Sequence, residues 1–254
     1  MRIMTWNIHG TSLGDREERF PLIKAAVEMY QPDVACFQEA FFPKSRKMLK
    51  SIEGYHVSYQ LNWLRPPSTK GGLVTLTKET SFDGKPLEVS FNPYHSQGNW
   101  FTEQRWDRLL GKGFLETIVK NEECGKITVI NTHKVCTYTQ DTDKYLEAQT
   151  QQLLRKIRQR KEKGERIVVA GDFNFKRKSN LYPQFKELLH DATEGLHDAA
   201  ESFHKLHLFE YETIDYIFTE DRYHCESASV YHESWQKYPS DHPCIMIDTD
   251  FRKE

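Results

Sequence analysis

The run Ile167-Val168-Val169-Ala170 is short, apolar and rich in β-branched residues, and Gly171-Asp172-Phe173-Asn174 follows it at once. Such a run reads as a buried strand that the glycine ends. A buried strand needs covering layers, so the chain has to supply a sheet and helices around it. In an extended chain, residues i and i+2 point to one side, so Asp172 and Asn174 are placed to reach the same point. Tips of buried strands are rigid mounts for reactive groups. The same four residues also read as an ordinary Asp/Asn turn, and the rest of the chain decides between the two.

Strand-like and helix-like segments alternate along all 254 residues. Residues 2–8 and 34–38 read as strands, with a helix between them over 15–30 that carries Phe20, Ile23, Val27 and Tyr30 on one face. A helix is expected over 42–52, and strands over 55–60, 73–77, 114–119 and 126–132. The longest helix spans 141–163, with Leu146, Gln149, Leu153 and Ile157 at helical spacing and Gly164 as its C-cap. After the strand at 166–170 come a helix over 182–190 and strands at 213–219, 225–232 and 243–248. Residues 78–107, with Gly84, Pro86, Pro93 and Gly98, are the least regular stretch and read as a long functional or mobile loop. With no internal repeat, this pattern gives mixed sheets under helices: one α/β (or α+β) domain over residues 1–254.

Charge excludes more than it selects. Lys and Arg number 35 against 37 Asp and Glu, so no global field points to nucleic acid or membrane. Five scattered cysteines without a CxxC pair argue against a disulfide framework or a zinc site, and Cys36 and Cys244 read as buried free thiols. No run has the apolar length of a membrane span, and no apolar leader block precedes the first strand. A soluble, cytoplasmic protein is the expectation.

Polar residues gather at predicted strand ends. Asn7 ends the first strand and Glu39 the second, His133 closes Ile130-Asn131-Thr132-His133, Asp215 opens Asp215-Tyr216-Ile217-Phe218, and Ser240-Asp241-His242 precedes the last strand. Each alone reads as a cap, a turn or a satisfied histidine. Together they specify more: Glu39, Asp172, Asn7 and Asn174 are hard oxygen ligands or orienters suited to Mg2+, with Mn2+ as an alternative. Two histidines with acids to orient them suit proton transfer and charge stabilisation on a phosphate. No Gly-x-Ser-x-Gly elbow, Walker loop or dinucleotide fingerprint is present. Metal-assisted hydrolysis is the best chemical fit.

The ordered motifs Thr5-Trp6-Asn7-Ile8, Gln38-Glu39, Asn131-Thr132-His133, Gly171-Asp172-Phe173-Asn174, Ile214-Asp215-Tyr216-Ile217 and Ser240-Asp241-His242-Pro243 resemble the endonuclease/exonuclease/phosphatase, DNase I-like superfamily. The resemblance implies a four-layer αββα sandwich, two packed mixed β-sheets flanked by helices, with the site at one end. It implies divalent-metal-dependent phosphoester hydrolysis. By position, Asn7, Glu39 and Asp241 would be metal ligands. Asp172 would orient or deprotonate the attacking water, Asn174 would bind phosphate or that water, and His133 would stabilise phosphoryl charge. Asp215 and His242 would form an acid–imidazole pair.

Departures from the family pattern narrow the branch. Ala40 and Phe41 follow Glu39 where abasic-site endonucleases carry a lysine two residues on, and Ile214-Asp215-Tyr216 stands where inositol-polyphosphate 5-phosphatases carry Cys-Asp-Arg. Lys134 occupies a place where leucine is common, and Thr213 one where arginine is common. The stretch Lys112-Gly113-Phe114-Leu115 resembles a strand start of sphingomyelinase-like and related bacterial members. Aromatics at Trp63, Trp100 and Phe101 beside Arg65, Lys70, Arg105 and Arg108 suit stacking on bases with phosphate contact, and suit a lipid headgroup almost as well. The basic run 155–161 reads as a solvated helix face. The leading expectation is a phosphodiesterase acting on nucleic acid. The alternatives are a sphingomyelinase-type lipid phosphodiesterase and, from another class, a catalytically silent binding module. No partner protein is implied.

Overall fold

The computed structural model describes residues 1–10, 16–62, 68–95, 111–123, 125–136, 143–194, 214–220, 225–231 and 239–250. Within them the chain runs β1 (Arg2–Asn7), α1 (Arg16–Tyr30), β2 (Val34–Gln38), α2 (Pro43–Lys50), β3 (Tyr55–Ser58), β4 (Val74–Lys78), β5 (Glu88–Pro93), β6 (Gly113–Asn121) and β7 (Gly125–His133). It continues through α3 (Asp143–Glu162), β8 (Arg166–Asp172), α4 (Tyr182–Lys186), β9 (His190–Asp191), β10 (Asp215–Thr219), β11 (Cys225–Tyr231) and β12 (Cys244–Thr249). The strands form two six-stranded mixed sheets, ordered β11-β12-β1-β2-β4-β3 and β5-β6-β7-β8-β10-β9. The central pairs β1–β2 and β7–β8 are parallel, and their outer neighbours are antiparallel.

Period-two alternation divides the side chains among three apolar layers. From the first sheet, Met4, Trp6, Ala35 and Phe37 face α1 and α2, where they meet Phe20, Ile23, Val27 and Leu49. From the second, Ile130, Ile167, Val169 and Phe218 face Leu153, Leu154 and Ile157 of α3. The remaining set, Ile3, Val34, Cys36, Val129, Val168, Ala170, Ile217 and Ile247, fills the space between the sheets. Helix, sheet, sheet, helix is the sandwich that the resemblance implies. Cys36 and Cys244 are buried free thiols, as expected. Among the described residues, no helix is long and apolar enough to cross a membrane.

Four local expectations are corrected. Gly171 does not end its strand: it pairs with Tyr216 and Thr132, and β8 runs on to Asp172. At φ +146° its missing Cβ would lie 2.0 Å from the Thr132 carbonyl oxygen, so the glycine serves strand-to-strand approach. The irregular stretch 78–107 contains β5, an edge strand ending in Pro93, whose half-buried residues lack the alternation that betrays a strand. The helix expected over 182–190 is confined to Tyr182–Lys186, because Leu189 turns into the core and His190–Asp191 pairs with β10. The basic run 155–161 is not simply solvated: Arg160 is buried, and with Lys156 it ion-pairs to the buried Glu116 at 2.9 Å.

Candidate active site

The alternation that builds the inter-sheet layer also fixes which polar residues end it. Asn7 continues the Ile3–Thr5 face of β1, and Gln38 the Val34–Cys36 face of β2. Asn131 and His133 continue Val129, Asp172 continues Val168 and Ala170, and Asp215 shares the parity of Ile217. All six therefore emerge between the sheets at the end where the parallel strands finish. Registers agree across neighbours: Asn7 lies opposite Gln38, His133 opposite Asp172, and Asp172 opposite Asp215. One layer below, Gln38 Nε2 donates to Asn131 Oδ1 at 2.9 Å, and Asn131 Nδ2 to the carbonyls of Phe37 and Val74, both 3.1 Å. These buried amides tie the two sheets together under the site.

Asp172 sits at the centre. Its Oδ2 accepts from Asn7 Nδ2 at 3.0 Å and lies 3.3 Å from His133 Nε2 and 3.9 Å from His242 Nε2. Its Oδ1 accepts the Asn174 backbone N–H at 3.0 Å. Burial pushes this carboxyl's pKa up, but His133, His242 and Lys112 outweigh that and hold it well below the usual range. Asp172 is therefore a carboxylate at neutral pH. The intervening Phe173 turns to the helix side, where edge contacts at 5.2–5.6 Å to Phe175, Phe185, Tyr216 and Phe218 anchor the strand tip. Asn174 does not continue an extended chain as expected. It adopts φ +53° and closes a turn onto Asp172, and its Nδ2 donates to the Lys134 carbonyl at 3.0 Å.

Asp215 and His242 form the expected acid–imidazole pair, Nδ1 to Oδ2 at 2.7 Å. Burial and the charge of Asp172 raise the Asp215 carboxyl to about 6, against the opposing pull of His242. Burial disfavours the His242 imidazolium, yet Asp215, Asp172 and Asp241 raise it to about 10. With the imidazole raised by three surrounding carboxylates and held at 2.7 Å, the two groups form an ion pair near neutral pH. Ser240 fixes its position: the hydroxyl donates to the Asn7 carbonyl at 2.5 Å and accepts the His242 N–H at 3.2 Å. Trp6 Nε1 donates to the His242 carbonyl at 3.0 Å.

The other expected metal-side residues lie at the mouth. Glu39 is half-buried at φ +60°, 3.3 Å from Asn7 Nδ2, with its carbonyl so close to Gly10 that a Cβ there would lie at 2.1 Å. Asn7 thus bridges the carboxylates of Glu39 and Asp172 with one amide, while its Oδ1 accepts the His9 N–H at 3.0 Å. Asp241 is more exposed and pairs with His9 Nδ1 at 3.0 Å. His9, Glu39 and Asn174 are three of the four non-glycine residues with positive φ among the described residues. Strained backbone is concentrated where the polar side chains converge. From α1, the buried Arg19 donates to the carbonyls of Ile8 and Pro239 and pins the two loops together.

Two lysines enter that motif reading did not place here. Lys112, 4% exposed, brings Nζ to 2.5 Å from His133 Nε2. That nitrogen either donates to Asp172 or accepts from the Lys112 ammonium; its protonation decides which, because a ring nitrogen has one position. His133 Nδ1 is buried without a hydrogen-bond partner, so the ring is held through Nε2 alone. Lys134 is fully buried: Nζ donates to Thr150 Oγ1 at 2.8 Å and lies 4.5–5.0 Å from the ring centres of Phe173, Phe175 and Phe185. Burial lowers its pKa far below that of an ordinary lysine. The sequence signal for both was an apolar neighbourhood around a cation. Trp63, Arg65, Trp100, Phe101, Arg105, Arg108 and Thr213 lie outside the described residues; Lys70 is half-buried beside Phe91.

Two groupings could hold a cation. Asp172, Asp215 and His242 place one ligand atom each within 4.8 Å of one another. Those atoms are already engaged with each other and with Asn7 and His133, which favours proton handling there. Glu39 is half-buried with its Oε1 3.3 Å from the Asn7 amide nitrogen, Asp241 is exposed, and the Asn7 amide oxygen accepts the His9 N–H, so these three bring further oxygen donors to the same end of the sandwich. Oxygen donors without thiolate fit a hard divalent ion.

Comparison with known proteins gives the family and the fold. The family model described as Endonuclease/Exonuclease/phosphatase family matches residues 4–242. No curated protein sequence was found to match. Among solved structures, the human Nocturnin catalytic domain with bound sulfate superposes at TM-score 0.73 and 21% identity, covering 98% of this chain and 93% of that one. D. rerio TDP2 complexed with a single-strand DNA product gives 0.73 at 17% identity, covering 98% of each. An endonuclease/exonuclease/phosphatase family protein from Bacteroides thetaiotaomicron gives 0.74 at 16%, covering 98% and 94%. At these identities the structures establish a shared fold, and the family match spans nearly the whole chain. The chain belongs to the endonuclease/exonuclease/phosphatase family.

Proposed function

We propose that this protein is a divalent-metal-dependent phosphodiesterase, with Mg2+ as the physiological ion, that hydrolyses nucleic acid. In this reading residues 1–254 work as one catalytic domain in the cytoplasm. The observation that carries it is the convergence of Asn7, His133 and His242 nitrogens on one oxygen of Asp172, beside the half-buried carboxylate of Glu39. A binding module without catalysis has no chemical need for such a set. The TDP2 structure holding a single-strand DNA product supports nucleic acid as the substrate class.

Glu39, Asn7 and Asp241 would hold the ion. When bound, it supplies Lewis-acid stabilisation of charge on a phosphoryl oxygen. Asp172, with its depressed pKa, is a weak base, so it orients the attacking water rather than removing a proton early. Asn174, held by the Lys134 carbonyl, contacts the water or the phosphate. His133 and Lys112, which meet at Nε2, offer nitrogen groups to stabilise charge on the phosphoryl oxygens. The His242 imidazolium, oriented by Asp215, keeps Nε2 towards the site as a donor to developing charge.

The test is a substrate panel with Mg2+ and with chelator: single- and double-stranded DNA, RNA, sphingomyelin and a chromogenic phosphodiester. Metal-dependent cleavage of a nucleic acid is expected. Cleavage of sphingomyelin alone would move the reading to the lipid branch, and no cleavage of any substrate would favour a silent module.

A further inference from the structure

Lys134 is the first residue past the end of β7, and both of its backbone groups serve the site. Its N–H donates to the Asp172 carbonyl at 3.0 Å, and its own carbonyl accepts Asn174 Nδ2 at 3.0 Å. Residue pairing with β6 and β8 ends at His133, and the segment beyond is held by α3. Gln149 and Thr150 are consecutive, fully buried residues of that helix. Gln149 Oε1 accepts the Val135 N–H at 2.9 Å, and Thr150 Oγ1 accepts Lys134 Nζ at 2.8 Å. To reach Thr150 the lysine chain passes among Phe173, Phe175 and Phe185. Packing alone calls for an apolar side chain there, because a buried amine costs free energy that its hydrogen bonds have to return. What the amine adds over an apolar chain is a directional tie to one point on α3.

We infer that Lys134 is a positioning residue of the hydrolytic reaction: its amine ties the β7 exit to Thr150, and its carbonyl thereby holds the Asn174 amide in place. The inference rests on the phosphodiesterase reading and goes further by adding α3 to the machinery. The path is short and made of contacts on one residue: Thr150 Oγ1 to Nζ, the Lys134 backbone, then its carbonyl to Asn174 Nδ2. Asn174 needs such a hold, because its backbone stands at φ +53° and its amide has to meet water or phosphate at a fixed place. A misplacement of about 1 Å at a contact of that kind costs on the order of a hundredfold in rate. The lysine touches neither substrate nor metal in this reading, so its whole effect passes through Asn174 and the Asp172 carbonyl.

Steady-state hydrolysis of methyl p-nitrophenyl phosphate with Mg2+, paired with thermal melts at neutral pH, tests the inference on the full chain. Lys134→Met keeps the bulk and removes the tie. It is expected to lower kcat by roughly tenfold with KM within about twofold, while the melting temperature does not fall. Thr150→Val removes the same bond from the helix side and should lower kcat by a similar factor. Asn174→Gly removes the amide and still accommodates positive φ. In that background Lys134→Met should leave kcat unchanged, because the group it positions is gone. A lysine with a structural role alone would act equally in both backgrounds. An undiminished kcat in Lys134→Met or Thr150→Val, an equal loss with and without the Asn174 amide, or a loss that comes with a lower melting temperature would each overturn the inference. Absence of wild-type turnover would sink the hydrolase reading and this inference with it. Wild-type turnover with any of those outcomes sinks the positioning role alone.

Discussion

Replacing Lys112 by methionine removes one buried positive charge while nearly keeping the side chain's length. Its Nζ lies 2.5 Å from His133 Nε2, which is 3.3 Å from the Asp172 carboxylate, so the charge acts on both. Lys112 is 4% exposed, and solvent screens it little. A unit charge about 4 Å from a phosphoryl oxygen is worth up to ~4 kcal/mol at an effective dielectric of about 20. Mutational removal of one such stabilising donor costs on the order of 100- to 1,000-fold in rate. The loss should fall on kcat, because charge on the phosphoryl oxygens grows in the transition state. Lys112→Arg should recover part of it. The assay is steady-state hydrolysis of a chromogenic phosphodiester, with a thermal melt to show that the fold persists. A Lys112→Met variant within threefold of wild-type kcat would refute the reasoning.

The buried Lys134 gives a test by stability. Its folded pKa is lowered, so between that value and about 10.4 the unfolded chain holds a proton that the folded chain lacks, and wild-type stability rises with pH by up to about 1.4 kcal/mol per unit. Lys134→Met should be more stable than wild type near pH 7, less about 1 kcal/mol for an orphaned Thr150 hydroxyl, and the advantage should shrink towards pH 10 in urea melts. Gly171→Ala places a Cβ 2.0 Å from the Thr132 carbonyl oxygen, in backbone that cannot yield, and should cost several kcal/mol by the same melts. Asp215→Asn keeps the shape but removes the charge that fixes the His242 ring, and should lower kcat by roughly 1,000- to 10,000-fold with binding little changed.

The site was legible where strand parity and motif order coincide. Asp172 follows an apolar run of fixed alternation, so its face was readable, and the six motifs lie at the strand ends that the sheets bring together. Asn174 was read to the right neighbourhood for the wrong reason, because a left-handed turn rather than extended chain brings it to Asp172. Lys112 was missed because its partner His133 becomes a neighbour only when β6 pairs with β7. Lys134 was noticed as a departure, but only packing shows three phenylalanines around it. The same limit hid Arg160: a helical cation run looks solvated until a buried carboxylate, Glu116, is found opposite it. β5 escaped because edge strands need no apolar face.

The most direct measurement is hydrolysis of a chromogenic phosphodiester by the wild type and by Asp172→Asn, each with Mg2+ and with chelator. Asparagine keeps the shape at the centre of the cluster while removing the charge on which three side-chain nitrogens converge. Metal-dependent turnover by the wild type is predicted, with loss of at least about a thousandfold in the variant at an unchanged fold. Full activity in Asp172→Asn, or wild-type turnover indifferent to chelator, would contradict a phosphodiesterase site centred on Asp172.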